Sequence, residues 1–310
     1  MKRILITGVT GFVGSCLVTY FHAKEGVKLY GHSRNTAQAK AHYHDFNIEI
    51  IAAYTVADID ALQIDYIIHL AGIAHDLSNT YVEADYNKVN YQDSARLYDS
   101  FLSSSASRFI YFSSIKAAVD HVDHPADEEM KPDPVTPYGK SKLKAEEYIQ
   151  SQNLPADKSY YILRPCMIHG PNNKGNLNLL YRFVKSGIPY PLGAFENKRS
   201  FLGSDNLLFI IDQLIHQSIP SGVYHLADEG SLSTNEVVRI IANVLGKPSR
   251  IWRFPVSFVH VLFKLTGKSK MLGKLTENME VSNQKILAVI HKPLPVSIEQ
   301  GLTKTIQSFQ

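Results

Sequence analysis

Tyr138 and Lys142 stand four positions apart in Tyr138-Gly139-Lys140-Ser141-Lys142, ahead of the helical run Leu143-Lys144-Ala145-Glu146-Glu147. On a helix that spacing puts both side chains on one face. A free tyrosine titrates near about 10 and is a poor base at neutral pH, but a neighbouring ammonium favours its phenolate and draws it toward the working range. The pair is suited to moving a proton on and off a substrate oxygen. Upstream, Phe109-Ile110-Tyr111-Phe112 reads as a strand that delivers Ser113-Ser114 at its carboxyl end, where a hydroxyl can bond the same oxygen. Serines are common at strand ends as plain turn residues, so they gain meaning only beside Tyr138 and Lys142.

A second constellation is Gly8-Val9-Thr10-Gly11-Phe12-Val13-Gly14, lying between a first strand and a first helix. A tight turn, a backbone open to a pyrophosphate and a helix packed close to its strand each need a residue without a Cβ. Three glycines at these joints meet those needs and predict dinucleotide binding through Gly8, Gly11, Phe12, Val13 and Gly14. The second strand ends in Gly31-His32-Ser33-Arg34-Asn35, with no carboxylate to hold the ribose diol of NAD. Ser33 and Arg34 could accept the extra phosphate of NADP, which favours NADP over NAD. Arg34 reads equally as a solvated surface arginine. Asp58 and Ile59 are candidates for an adenine contact.

Elements that could hold these residues alternate along the chain. Lys2 to Thr7, Val27 to Gly31, Tyr66 to Leu70, Phe109 to Ser113 and Tyr160 to Leu163 read as strands, and Val13 to Lys24 as a helix. Near-continuous apolar runs such as Tyr160-Tyr161-Ile162-Leu163 fit strands covered by helices on both faces. The pattern predicts an α/β protein with a Rossmann-type doubly wound parallel sheet and a smaller C-terminal substrate-binding lobe. Asn, Gly and Pro after Gly170 mark the crossing, giving 1–168 and 169–310, with part of about 203–228 returning to the sheet.

Together these residues resemble the extended short-chain dehydrogenase/reductases, especially nucleotide-sugar 4-epimerases and 4-keto reductases related to UDP-glucose 4-epimerase. The resemblance spans nearly the whole chain. It is carried by the glycine spacing, His69-Leu70-Ala71-Gly72, Asn90, Ser113-Ser114, Tyr138 to Lys142, and Leu163-Arg164-Pro165 leading to Gly170-Pro171. It implies a catalytic set of Ser114, Tyr138 and Lys142, with Ser114 favoured over Ser113 by its spacing from Ala117. It also implies a supporting structural role for Asn90, and cofactor contacts at Leu70, Ala71, Gly72, Tyr138, Lys142 and Pro165. It places Ser114 on the substrate and, in the second lobe, Arg199 on the nucleotide diphosphate and Asn176 and Leu177 on the substrate, although Asn176 reads equally as a loop residue or helix cap. A further basic contact expected near the C-terminus is not obvious among Lys270, Lys274 and their neighbours. A homodimer in the cytoplasm, in surface-polysaccharide synthesis, is the family's usual setting.

Relatives that remove water from C5 and C6 need an Asp-Glu pair after the catalytic hydroxyl. Here Ser114 is followed by Ile115-Lys116, which argues against 4,6-dehydration. Hydride transfer at C4 of a nucleotide sugar remains. Arg34 tilts the expectation to a 4-keto reductase of a UDP- or dTDP-hexose using NADPH, with a 4-epimerase holding NAD as the alternative. A non-catalytic dinucleotide sensor is a minor alternative, opposed by the retained Tyr138 and Lys142.

Composition excludes other classes. The 310 residues carry 32 Lys and Arg against 29 Asp and Glu, too even a balance to predict nucleic-acid binding. Two cysteines cannot make a disulfide framework, and no leader-like segment precedes the first strand. Cys166 reads as a small packed residue. No metal site is expected, because His42, His44, His121 and His124 lack companion ligands. The apolar stretch Phe254 to Leu265 is too short for a membrane span and reads as a packed amphipathic helix.

Overall fold

The computed structural model describes residues 1–73, 80–173, 175–265, 267 and 269–310. Strands and helices alternate as the apolar runs predict. β1 (Lys2–Thr7), α1 (Phe12–Phe21), β2 (Val27–His32), α2 (Thr36–His42), β3 (Ile48–Ile51), α3 (Val56–Ala61) and β4 (Tyr66–His69) come first. α4 (Glu83–Tyr86) runs through a π-helical turn, Asn87–Gln92, into α5 (Asp93–Ser103). β5 (Arg108–Phe112), a tight 3-10 turn at Ile115–Ala117, α6 (Pro137–Ser151) and β6 (Ser159–Pro165) complete this half. Beyond it lie β7 (Met167–His169), α7 (Asn176–Lys185), β8 (Phe201–Gly203), α8 (Ser204–His216), β9 (Gly222–Leu226) and α9 (Thr234–Val244). α10 (Val256–Leu265), α11 (Ser269–Thr276), α12 (Gln284–Ile290) and α13 (Ile298–Gln307) end the chain.

Among the described residues, seven strands form one parallel sheet in the order β3-β2-β1-β4-β5-β6-β9, and β7 pairs with β8 apart from it. The chain winds outward from β1 to β3, then starts again at β4 and runs the other way. That reversal leaves a crevice at the carboxyl ends of β1 and β4, where α/β proteins of this type take ligands. Side chains alternate across the sheet. Ile4 and Ile6 pack with Leu17 and Phe21 of α1 and with Ile211 and Leu214 of α8. Leu5, Ile67 and Phe109 point the other way, onto Leu97 and Phe101 of α5 and Ile149 of α6. Burial on both faces is what requires the strands to be apolar throughout.

After β8 the chain comes back to the sheet: β9 pairs with β6 from Tyr161 opposite Gly222 to Pro165 opposite Leu226. α7, α9 and α13 enclose a core of their own around Tyr181, Val237, Ile241 and Leu302. A neighbouring cluster joins Tyr190, Leu192 and Val238 to Val259 of α10 and Leu272 of α11. α10 departs from expectation. It is a helix, but Val259 alone among its ten residues is buried, and most of its apolar side chains face out.

Candidate active site

β1 ends at Thr7, and Gly8 turns the chain with φ +72°, in the left-handed region that a side chain disfavours. A Cβ on Gly8 would lie 2.9 Å from the Ala71 amide nitrogen, and one on Gly14 only 2.3 Å from the Gly8 carbonyl oxygen. The turn is therefore lined by backbone on both sides. Gly11 opens α1, and no side chain caps it. A backbone-walled turn feeding an uncapped helix start, with Phe12 and Val13 in the first turn, fits the diphosphate of a dinucleotide. Ser33 follows β2 beside it, its hydroxyl 3.4 Å from that of Thr10, and Arg34 is exposed next to it.

Asp58 and Ile59 do not join this group. The Asp58 carboxylate accepts from the Thr55 amide at 2.9 Å and the Thr55 hydroxyl at 2.7 Å in a capping box that starts α3, and these bonds hold it below the usual carboxylate range. Ile59 is wholly buried in the core under the sheet. The residues that follow β3 at the crevice edge are Ala52 and Ala53.

The loop after β4 is fixed from two sides. The Ala71 amide donates to the Thr7 hydroxyl at 3.2 Å, and Thr7 Oγ1 lies 2.7 Å from His69 Nδ1, whose Nε2 meets Ser94 Oγ at 2.9 Å. Burial pushes the His69 imidazole down to about 3, so it is a neutral strut. Asn90, buried in the π-helical turn, accepts from the Ile73 amide at 2.7 Å and donates to the Ile73 carbonyl at 3.0 Å and the Ser141 hydroxyl at 3.1 Å. It ties the Leu70–Ile73 loop to the stretch of α6 between Tyr138 and Lys142. Single π turns often mark functional positions, and this one aims Asn90 inward.

α6 starts on Thr136, whose side chain accepts from the Gly139 amide at 3.1 Å, with Pro137 in its first turn. A Cβ on Gly139 would stand 2.2 Å from the Lys116 carbonyl, so glycine lets α6 press against the turn that follows Ser114. This contact sets Tyr138 beside Ser114, whose hydroxyl acts on the phenol. Burial pushes the phenol above its ordinary value and the neighbouring Ser114 hydroxyl opposes it. The lowering predicted from Lys142 does not prevail, and Tyr138 rests as a neutral phenol. Ser113 points elsewhere: its buried hydroxyl donates to Glu146.

Lys142 is buried, donates from Nζ to the Phe112 carbonyl at 2.8 Å and lies 4.9 Å from the centre of the Tyr111 ring. Burial brings its ammonium down to about 8, with Glu146 pulling the other way. One turn further along α6, Glu146 accepts from Arg164 through Nε at 3.1 and 3.0 Å and through Nη2. Arg164 Nη1 is 3.4 Å from His225 Nε2. In the sequence alone Arg164 has no evident role and Glu146 is one residue of a helical run. The signal was a carboxylate at position i+4 from Lys142, on the inward face of the same helix.

In the second lobe, Pro165 ends β6 beside the crevice and is buried, as is Cys166 after it. Arg199 is half-buried, its backbone bonded to Leu232 in both directions, and its charge is felt at Cys166. Burial lowers its guanidinium, opposed by Glu277, Cys166 and Tyr190. Asn176 is exposed at the start of α7, while the Leu177 side chain is buried in the lobe core, leaving its backbone amide as its only polar group there. The side chains of Lys270 and Lys274 lie outside the described part of the structure.

A doubly wound sheet with an open glycine turn at β1, and with Ser, Tyr and Lys gathered where β5 meets α6, defines an extended short-chain dehydrogenase/reductase. The NAD dependent epimerase/dehydratase family matches residues 4–227, and the chain belongs to it. It is 31% identical to UDP-glucose 4-epimerase of Vibrio cholerae over 316 residues, covering 99% of this chain and 95% of that protein. It is 27% identical over 325 residues to N-acetyl-alpha-D-glucosaminyl-diphospho-ditrans,octacis-undecaprenol 4-epimerase of Escherichia coli, covering 98% and 94%. Its fold is similar to that of UDP-glucuronic acid 4-epimerase from Bacillus cereus, solved with NAD, with a TM-score of 0.75 at 18% identity over 99% of this chain and 98% of that one.

Proposed function

We propose that the protein is a nucleotide-sugar 4-epimerase that works on a UDP-linked hexose with NAD as its cofactor. The observation that carries the chemistry is the meeting of Ser114, at the carboxyl edge of the sheet, with Tyr138, one helical turn from the Lys142 ammonium. Epimerisation is preferred to the 4-keto reduction expected from Arg34 because the full-length relatives are named as 4-epimerases. Dehydration is disfavoured by the same turn: Ile115 is buried and the Lys116 ammonium lies 3.1 Å from Asp120, so no acid-base pair flanks Ser114.

Once it is a phenolate, which the charge of Lys142 and that of a bound oxidised cofactor would favour, Tyr138 takes the proton of the sugar 4-hydroxyl and later returns it, and Ser114 holds the same oxygen in line. Lys142, anchored by the Phe112 carbonyl, supplies positive charge beside the phenol. NAD, when bound, would supply the hydride acceptor and donor that inversion at C4 requires. Gly8, Gly11 and Gly14 would hold its diphosphate, and Ser33 and Arg34 would flank its adenosine ribose, with Arg34 the residue through which NADP is also accepted. Arg199 would clamp the substrate diphosphate. The test is proton NMR of UDP-glucose or UDP-N-acetylglucosamine with the purified protein and no added reductant. Inversion at C4 supports the reading. Consumption of NADPH only with a 4-keto sugar, and no inversion, returns the protein to the reductases.

A further inference from the structure

We propose that α10 and the strand-like segment before it dock the protein onto the surface of an anionic phospholipid bilayer. α10 has three sides. Val259 and Phe263, four apart, face Tyr190, Leu192 and Leu272 of the lobe. Ser257, His260 and Lys264 form a polar stripe. Phe258, Val261, Leu262 and Leu265 fall at i, i+3, i+4 and i+7, so they share a third face, and their exposures are 55, 56, 47 and 80%. An amphipathic stripe with that spacing ordinarily faces a core. Here it faces solvent.

The apolar surface continues past the helix. Trp252 is 55% exposed, although its backbone is pinned by bonds to Tyr190 and Gly193. Its ring lies 6.0 Å from Phe254, which lies 6.1 Å from Phe258, so an aromatic row leads onto the helix. Contiguous apolar surface of this kind marks a docking site.

Charge identifies the occupant. From residue 237 to residue 276 the chain carries eight Lys and Arg and no Asp or Glu, whereas the whole chain has an excess of three. The remainder is therefore net acidic, and in sequence this basic segment contains the aromatic row, with Arg253 next to Trp252 and Lys264 on α10 itself. Aromatic and aliphatic side chains beside lysines, on a helix too short to span, are the composition of a segment lying in the headgroup layer of an anionic membrane. No helix among the described residues is long and apolar enough to cross one. The proposal does not depend on which sugar is the substrate.

Trp252 is the only tryptophan in the sequence and reports the event directly. Its emission should shift to the blue when the protein meets phosphatidylcholine vesicles containing phosphatidylglycerol, and the protein should sediment with them, less so as salt rises. Phe258→Glu/Leu265→Glu changes two outward positions and should lower the vesicle partition coefficient by about ten-fold or more, since each loses a large buried apolar group. Lys264→Glu should weaken binding without touching the apolar face. The proposal is overturned by wild-type protein that neither sediments nor shifts, or by a double variant that binds equally. It is also overturned by light scattering that finds a dimer which the double variant dissociates, since the patch would then join two copies.

Discussion

Glu146 and Arg164 form an ion pair with almost no contact with water, at 0 and 3% exposure. Removing its two halves should have unequal consequences. Glu146→Leu takes away the acceptor of the Nε and Nη2 bonds and of the Ser113 hydroxyl bond. The guanidinium left behind cannot shed its proton, and its remaining neighbour, His225 at 3.4 Å, is uncharged. An uncompensated buried charge of this kind costs about 3 to 5 kcal/mol. Arg164→Met leaves a carboxyl that burial already pushes up and that can protonate, with Ser113 still bonded to it. That loss should be nearer about 1 to 3 kcal/mol, the cost of a lost buried hydrogen-bond partner. Replacing both, as Glu146→Leu/Arg164→Met, should restore stability to within roughly 1 kcal/mol, because well-packed apolar pairs often equal a buried salt bridge. Equilibrium urea unfolding of the four proteins at neutral pH measures this cycle. In Arg164→Met the folded carboxyl titrates above its unfolded value, so its contribution is present at low pH and is lost as pH rises through the folded value. Equal losses in the two single variants, or simple additivity in the double, would refute the argument.

Tyr138→Phe should lower kcat by about a hundredfold to ten-thousandfold while NAD affinity by titration stays nearly unchanged, since the phenol acts on a proton. Arg199→Ala should weaken UDP binding by about ten-fold to a hundred-fold in isothermal titration, and unchanged affinity would remove Arg199 from the site. Arg34→Ala should reduce the ratio of NADP to NAD affinity, and an unaltered ratio would leave it a surface residue. Burial holds His69 at about 3 and, with Arg164 nearby, His225 at about 4, both below the ordinary 6.5. Such depressed groups stabilise fully above the unfolded value and lose that contribution as pH falls. Thermal melts should therefore decline from about pH 6.5 toward 4, on the order of 1.4 kcal/mol per histidine per unit.

Much of the site was legible because its parts are local. Tyr138 and Lys142 are one helical turn apart and the glycine turn joins β1 to α1, so spacing groups each of these, whereas Ser114, at the end of an apolar strand, joins Tyr138 through the family resemblance. β3 was missed because Ile48–Ile51 is four residues long and broken by Glu49, too short to show a period. Asp58-Ile59 misled because a short motif does not show its partner. Thr55 uses the aspartate to start a helix, and the next residue turns into the core. Glu146 was silent because its partner Arg164 is eighteen residues away on another element. The period of α10 was readable, but periodicity says that a helix has an apolar face and not what covers it.

The pairing of β9 with β6 brings a strand from the far half of the sequence into the sheet. One side of the sheet is roofed by α1 together with α8 and α12, which come from the far half of the sequence. A fragment stopped at residue 168 would keep every residue of the Ser114, Tyr138 and Lys142 group, yet leave β6 as an open, apolar border and half that roof missing. Such borders recruit strands from other molecules, so the fragment should aggregate rather than fold. Grafting a foreign lobe onto this scaffold would have to splice at two seams, around 166–200 and after 227, with α8 and β9 left in place between them.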